Sequence, residues 1–125
     1  MLNGPNDVWI AKDGSYYLTD PYFKRDYWTR NPERQQPVEG LYYLAPGSKQ
    51  LVMLDSTLNQ PNGLVGTPDG KHLYVAEAKA NRILRYDIQT DLIHYRIKIR
   101  LYSKNACAWG TMMSFKANCL ETKEL

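Results

Sequence analysis

Histidine, cysteine and phenylalanine are scarce in this 125-residue chain, at two copies each, and the scarcity closes several routes to function. His72 and His94 lie near no Gly-x-Ser-x-Gly elbow, so a serine-hydrolase triad has no support. Cys107 and Cys119 are separated by twelve positions rather than arranged as Cys-x-x-Cys, which gives no zinc signature. No glycine-rich phosphate loop is present. Nor does any apolar run approach the roughly 18 residues of a membrane-spanning helix. The N-terminus lacks the basic start and apolar core of a secretory signal, so the chain is expected to be soluble, in a compartment left open.

Proline and glycine are missing from one end. All seven prolines and seven of the eight glycines precede residue 89, and only Gly110 follows it. Residues 1–88 carry ten basic and ten acidic side chains, whereas residues 89–125 carry six and three. The excess is unclustered and makes a weak footprint for nucleic acid, so neither a nucleic-acid nor a membrane partner is expected. Two compositions therefore meet near Asp87. Residues 1–88 read as one structural unit and 89–125 as an unmatched tail. That tail has two readings: a disordered, out-of-frame product of a shift near Thr90–Leu92, or a divergent C-terminus.

What the first part holds is a repeat. Pro5-Asn6-Asp7 is followed by Asp13-Gly14, and Pro61-Asn62-Gly63 by Asp69-Gly70, with the two copies 56 residues apart. Ten tyrosines suit pleated, half-exposed strands. Strands are expected over residues 8–11, 15–19, 40–44 and 50–54, with Asp-Gly and Pro-Gly turns between them. The pattern restarts over 63–66, 72–77 and 82–88, and alternation permits a further strand within 92–102. Four-stranded antiparallel units repeating at this length predict an all-β partial β-propeller of about two blades. A seven-stranded sandwich without an internal copy ranks second. Residues 22–39 form a loop long enough to have a covering or binding role.

Gly4-Pro5-Asn6-Asp7-Val8-Trp9, Tyr17-Leu18-Thr19-Asp20-Pro21-Tyr22, Gln60-Pro61-Asn62-Gly63 and Pro68-Asp69-Gly70-Lys71-His72-Leu73-Tyr74-Val75-Ala76 together resemble the gluconolactonase family. That family includes regucalcin-type senescence-marker proteins and luciferin-regenerating enzymes. The resemblance runs from residue 2 to about 88. It implies a six-bladed propeller with one divalent cation (Ca²⁺, Mg²⁺, Mn²⁺ or Zn²⁺) in its channel, and hydrolysis of sugar lactones. The implied ligand set is a Glu, two Asn and an Asp. Asn6 and Asn62 match the two Asn, while the Glu would precede Met1 and no Asp-Gly follows Asp87 to supply the Asp.

Asparagine carbonyls suit hard cations, but two neutral ligands neither offset cation desolvation nor provide a base. The chain alone is therefore expected to be an incompetent fragment of a lactonase. The alternatives are a non-catalytic propeller used as a binding scaffold and a non-functional open reading frame. Read without the resemblance, Asn6 and Asn62 are better explained as turn residues capped by their own side chains. Asp13 and Asp69 are expected to be structural. Asp20, Tyr22 and Arg25 are the candidate substrate contacts; Asp20 is aligned with Ala76 in the second copy, as a position the fold does not require.

Overall fold

A computed structural model describes residues 1–29, 33–89 and 98–102, the last as backbone only. The expected readings of residues 90–97 and 103–125 lie outside the described residues.

Among the described residues eight strands make two sheets: β1 (Asp7–Ile10), β2 (Tyr16–Asp20), β3 (Gly40–Leu44) and β4 (Leu51–Asp55), then β5 (Pro61–Gly66), β6 (His72–Glu77), β7 (Arg82–Asp87) and β8 (Lys98–Tyr102). Each sheet is a four-stranded antiparallel meander in chain order, and no helix occurs among the described residues. This is the all-β, two-blade arrangement that the repeat predicts. The alternating stretch near residue 100 does form a strand, with β8 pairing to β7 from Ile83–Tyr102 to Asp87–Lys98.

The turns follow from side-chain chemistry. Asp13 Oδ1 accepts the Ser15 amide at 2.9 Å and its hydroxyl at 2.6 Å, while Gly14 takes φ +84° in the left-handed region. Asp69 Oδ1 accepts the Lys71 amide at 3.0 Å and the Thr67 hydroxyl, and Gly70 takes φ +72°. These bonds to the ionised form hold both carboxyls below the usual aspartate range, the Ser15 hydroxyl being the largest cause for Asp13 and the Thr67 hydroxyl for Asp69. Both aspartates are structural, as expected.

The two turns differ by one residue. Ala11 N–H donates to Ser15 in the first, and Thr67 N–H to His72 in the second. Lys71 is the extra residue. The offset between copies is therefore 56 before the turn and 57 after it, so Asp20 corresponds to Glu77 and not to Ala76.

The core lies between the sheets. Tyr17, Leu41 and Tyr43 of the first sheet meet Leu64, Leu73, Val75, Leu84 and Tyr86 of the second, all buried. Trp9 packs 5.6 Å from Tyr17, which lies 5.1 Å from Tyr43. The sheets approach where β5 meets β1 and β2. There Gly66 receives the Trp9 indole so closely that an added Cβ would lie 2.1–2.4 Å from ring atoms.

Candidate functional site

Asn6 and Asn62 each lie at the start of the first strand of a blade, in adjacent blades. Their backbones share one partner. Asn6 N–H donates to the Thr19 carbonyl at 2.9 Å, and the Thr19 hydroxyl donates to the Asn62 carbonyl at 2.7 Å. Thr19 is fully buried. Asp7 supports the same junction, its Oδ2 accepting the Leu64 amide at 2.9 Å across the sheets. Strand pairing thus brings the two asparagines, 56 positions apart in sequence, to one threonine.

The side chains of Asn6 and Asn62 make no hydrogen bond among the described residues, and Asn6 is exposed while Asn62 is half-buried. A structurally committed asparagine looks different, as Asn3, which pins the long loop, shows. Its Nδ2 donates to the Val38 carbonyl at 2.8 Å, and its Oδ1 accepts the Gln35 and Gln36 amides at 3.0 and 3.1 Å. Asn6 and Asn62 spend nothing on their own turns, so their amides remain available to a ligand.

Asp20 is fully buried. Oδ2 accepts the Asn3 amide at 2.9 Å and Gln36 Nε2, while Oδ1 accepts the Gly4 amide at 2.7 Å. Its counterpart Glu77, also buried, accepts the Asn59 amide at 2.7 Å and pairs with Arg82. Asn3 and Asn59 are themselves repeat partners, three residues before Asn6 and Asn62. The carboxylate at the end of the second strand therefore ties down the segment leading into the first strand of its own blade. Sequence reading missed this because it carried one offset across both strands; inserting Lys71 as an extra turn residue aligns Asp20 with Glu77.

Tyr22 and Arg25 belong to the long loop. The Arg34 guanidinium lies 5.1 Å from the Tyr22 ring centre, and Arg25 lies 5.8 and 5.9 Å from those of Phe23 and Tyr27. Such contacts stiffen a loop through cation–π attraction. These contacts lie within the loop and do not involve Asn6 or Asn62.

The donor set at the asparagine pair does not by itself suit a tightly held divalent cation. Two neutral amide oxygens are of the correct hard type but bring no negative charge. The four buried carboxylates among the described residues are committed elsewhere. Beyond Asp20 and Glu77, Glu39 accepts the Arg34 guanidinium and the Gln60 amide at 2.7 and 2.6 Å. Asp55 accepts Thr57 and, at 2.9 Å, the Tyr86 hydroxyl. Among the described residues no three His, Cys, Asp or Glu side chains gather into a metal-binding group.

Two four-stranded meander sheets packed side by side define a propeller-type protein, and the unengaged asparagines at the start of each first strand make the junction of its blades the candidate site. The chain belongs to the SMP-30/gluconolactonase/LRE-like family, whose model matches residues 1–104. That match continues past the compositional break near residue 89. The chain is similar to a gluconolactonase of Zymomonas mobilis, 32% identical over 77 residues covering 62% of this chain and 21% of that protein. It is also similar to lactonase drp35 of Staphylococcus aureus, 30% identical over 86 residues, 69% of this chain and 24% of that one. A solved gluconolactonase from Xanthomonas campestris superposes with a TM-score of 0.66 at 27% identity, over 80% of this chain and 33% of that one. The chain thus spans about a fifth to a third of these relatives.

Proposed function

We propose that this chain is a two-blade portion of a metal-dependent sugar-lactone hydrolase and supplies the neutral half of its ligand set. The observation that carries the reading is the pair of unengaged asparagine side chains, Asn6 and Asn62, set at equivalent positions around buried Thr19. Lactonase relatives support the substrate class. A bound divalent cation supplies polarisation of the lactone carbonyl and a lowered pKa for water.

This chain's residues bind and orient. Asn6 and Asn62 offer amide oxygens, Thr19 and Asp7 hold their strands together, and Asp20 and Glu77 hold the segments leading into those strands. Tyr22 and Arg25 offer the loop contacts to a polar ring. Among the described residues the buried carboxylates Asp20, Glu39, Asp55 and Glu77 are all engaged in other bonds, so on this reading a charged ligand and a base come from elsewhere in the propeller. On this reading the isolated chain does not hydrolyse lactones.

The test is a chimera in which residues 1–88 replace the matching segment of the Zymomonas gluconolactonase. Metal-dependent hydrolysis of gluconolactone is expected, with loss of at least tenfold in Asn62→Ala. An active chimera indifferent to alanine at both asparagines refutes the reading, as does metal-dependent hydrolysis by the isolated chain at the relative's rate.

A further inference from the structure

The two asparagine-bearing segments are anchored differently. In the first copy Asp20, within the same blade, accepts the Asn3 and Gly4 amides at 2.9 and 2.7 Å. In the second, Glu77 Oε1 accepts the Asn59 amide at 2.7 Å while its Oε2 is taken by Arg82. The amide equivalent to that of Gly4, on Gln60, finds its acceptor outside the blade, at Glu39 Oε2, 2.6 Å away. Glu39 ends the long loop and immediately precedes β3 of the first sheet.

Gln60 is a strained point. It takes φ +51°, a left-handed conformation uncommon for any residue but glycine. Such a conformation persists only where its surroundings over-determine it. Here the amide is held by Glu39, and the carbonyl accepts the Ala78 N–H at 3.0 Å. Only Pro61 separates Gln60 from Asn62. Pro61 is fully buried and its ring fixes its own φ, so the chain direction set at Gln60 passes on to Asn62.

Glu39 is in turn fixed by the loop. Its Oε1 accepts Arg34 Nη2 at 2.7 Å, and Arg34 Nη1 donates to the Pro37 carbonyl at 2.9 Å. The same guanidinium lies 5.1 Å from the centre of the Tyr22 ring at the loop's entry. Charge-assisted bonds to a largely buried carboxylate hold their geometry well. Arg34 thereby joins the entry of the loop, its exit and the segment that carries Asn62.

We propose that Glu39, oriented by Arg34, is a positioning residue for the Asn62 amide and makes the neck of the long loop part of the ligand site. The inference rests on the reading of Asn62 as a cation ligand. It adds that the second asparagine is set from the neighbouring blade, whereas the first is set from within its own.

Two measurements test it. In the full 125-residue chain, the backbone amide order parameter of Asn62 should fall from about 0.85 towards about 0.6 in Arg34→Met and in Glu39→Leu. Glu39→Gln should lie between, because its amide oxygen can still accept the Gln60 N–H; it also serves should Glu39→Leu fail to fold. In the chimera carrying residues 1–88, the Mn²⁺ dissociation constant should rise about 10–100-fold in Arg34→Met, the usual cost of losing a group that orients a metal ligand. Tyr86→Phe, which breaks a different bond, should leave both values unchanged. An Asn62 order parameter unmoved by Arg34→Met and Glu39→Gln overturns the proposal. So does Mn²⁺ binding that weakens in Asn62→Ala but not in Arg34→Met, an outcome that leaves the cation reading standing. An equal weakening in Tyr86→Phe overturns it in favour of general loosening. Mn²⁺ binding indifferent to Asn62→Ala sinks the cation reading, and this role of Glu39 with it.

Discussion

The Thr19 hydroxyl in the first sheet donates to the Asn62 carbonyl in the second at 2.7 Å, and the Thr19 carbonyl accepts the Asn6 amide at 2.9 Å. One buried residue thereby sets the spacing of the two candidate ligands. Thr19→Val removes the hydroxyl and leaves a carbonyl without its partner, a cost of about 1–3 kcal/mol. Urea unfolding should show that loss, and Thr19→Ser should recover most of it. Equal midpoints for all three proteins would show that the bond contributes nothing across the junction.

Asn62 and Asn3 should respond oppositely to truncation. Asn62→Ala removes a side chain with no hydrogen bond and should change stability by less than about 0.5 kcal/mol. Asn3→Ala breaks three bonds to Val38, Gln35 and Gln36 and should cost about 1–3 kcal/mol. A large loss in Asn62→Ala would return that residue to the structural reading.

Gly66→Ala would place a methyl group 2.1–2.4 Å from Trp9 ring atoms, forcing the indole or β5 to move. Overpacking of this kind costs about 1–3 kcal/mol. Trp9→Leu in the Gly66→Ala background should recover part of the loss, since the smaller side chain frees the clash. Strict additivity of the two substitutions would mean that they do not interact.

Tyr86 gives the blade contact a pH dependence. Burial is the largest cause, followed by the nearby Asp55 charge, and together they push the phenol far above its ordinary value near 10. A raised folded-state value means that the contribution is fully present below about pH 10 and is lost as pH climbs from there toward the folded-state value. Tyr86→Phe should lose about 1.5–3 kcal/mol at neutral pH, through the bond to Asp55, and should show a flatter decline above pH 10. Parallel declines in the two proteins would exclude Tyr86 as the titrating group.

Much of the first-order pattern was legible in the chain. Alternation and Asp-Gly turns located strands near their observed places, because sheet periodicity and left-handed glycines are local properties. The repeat of Pro-Asn turns located the two asparagines for the same reason. The roles of Asp20 and Thr19 were not legible, because each is defined by partners 13 to 43 residues away, Asn6, Gly4 and Asn3 on one side and Asn62 on the other. A single extra residue, Lys71, was enough to hide the match between Asp20 and Glu77.

Sequence alone determined that this is a repeated antiparallel β protein with an asparagine at the head of each copy, since turn chemistry and side-chain alternation act over a few residues. Tertiary structure decided that those asparagines leave their side chains unspent while their backbones meet at Thr19, and that the buried carboxylates Asp20 and Glu77 hold the segments leading into the first strands. It also decided which sheet faces are buried between the two blades, because burial depends on what packs across the gap and not on the strand itself.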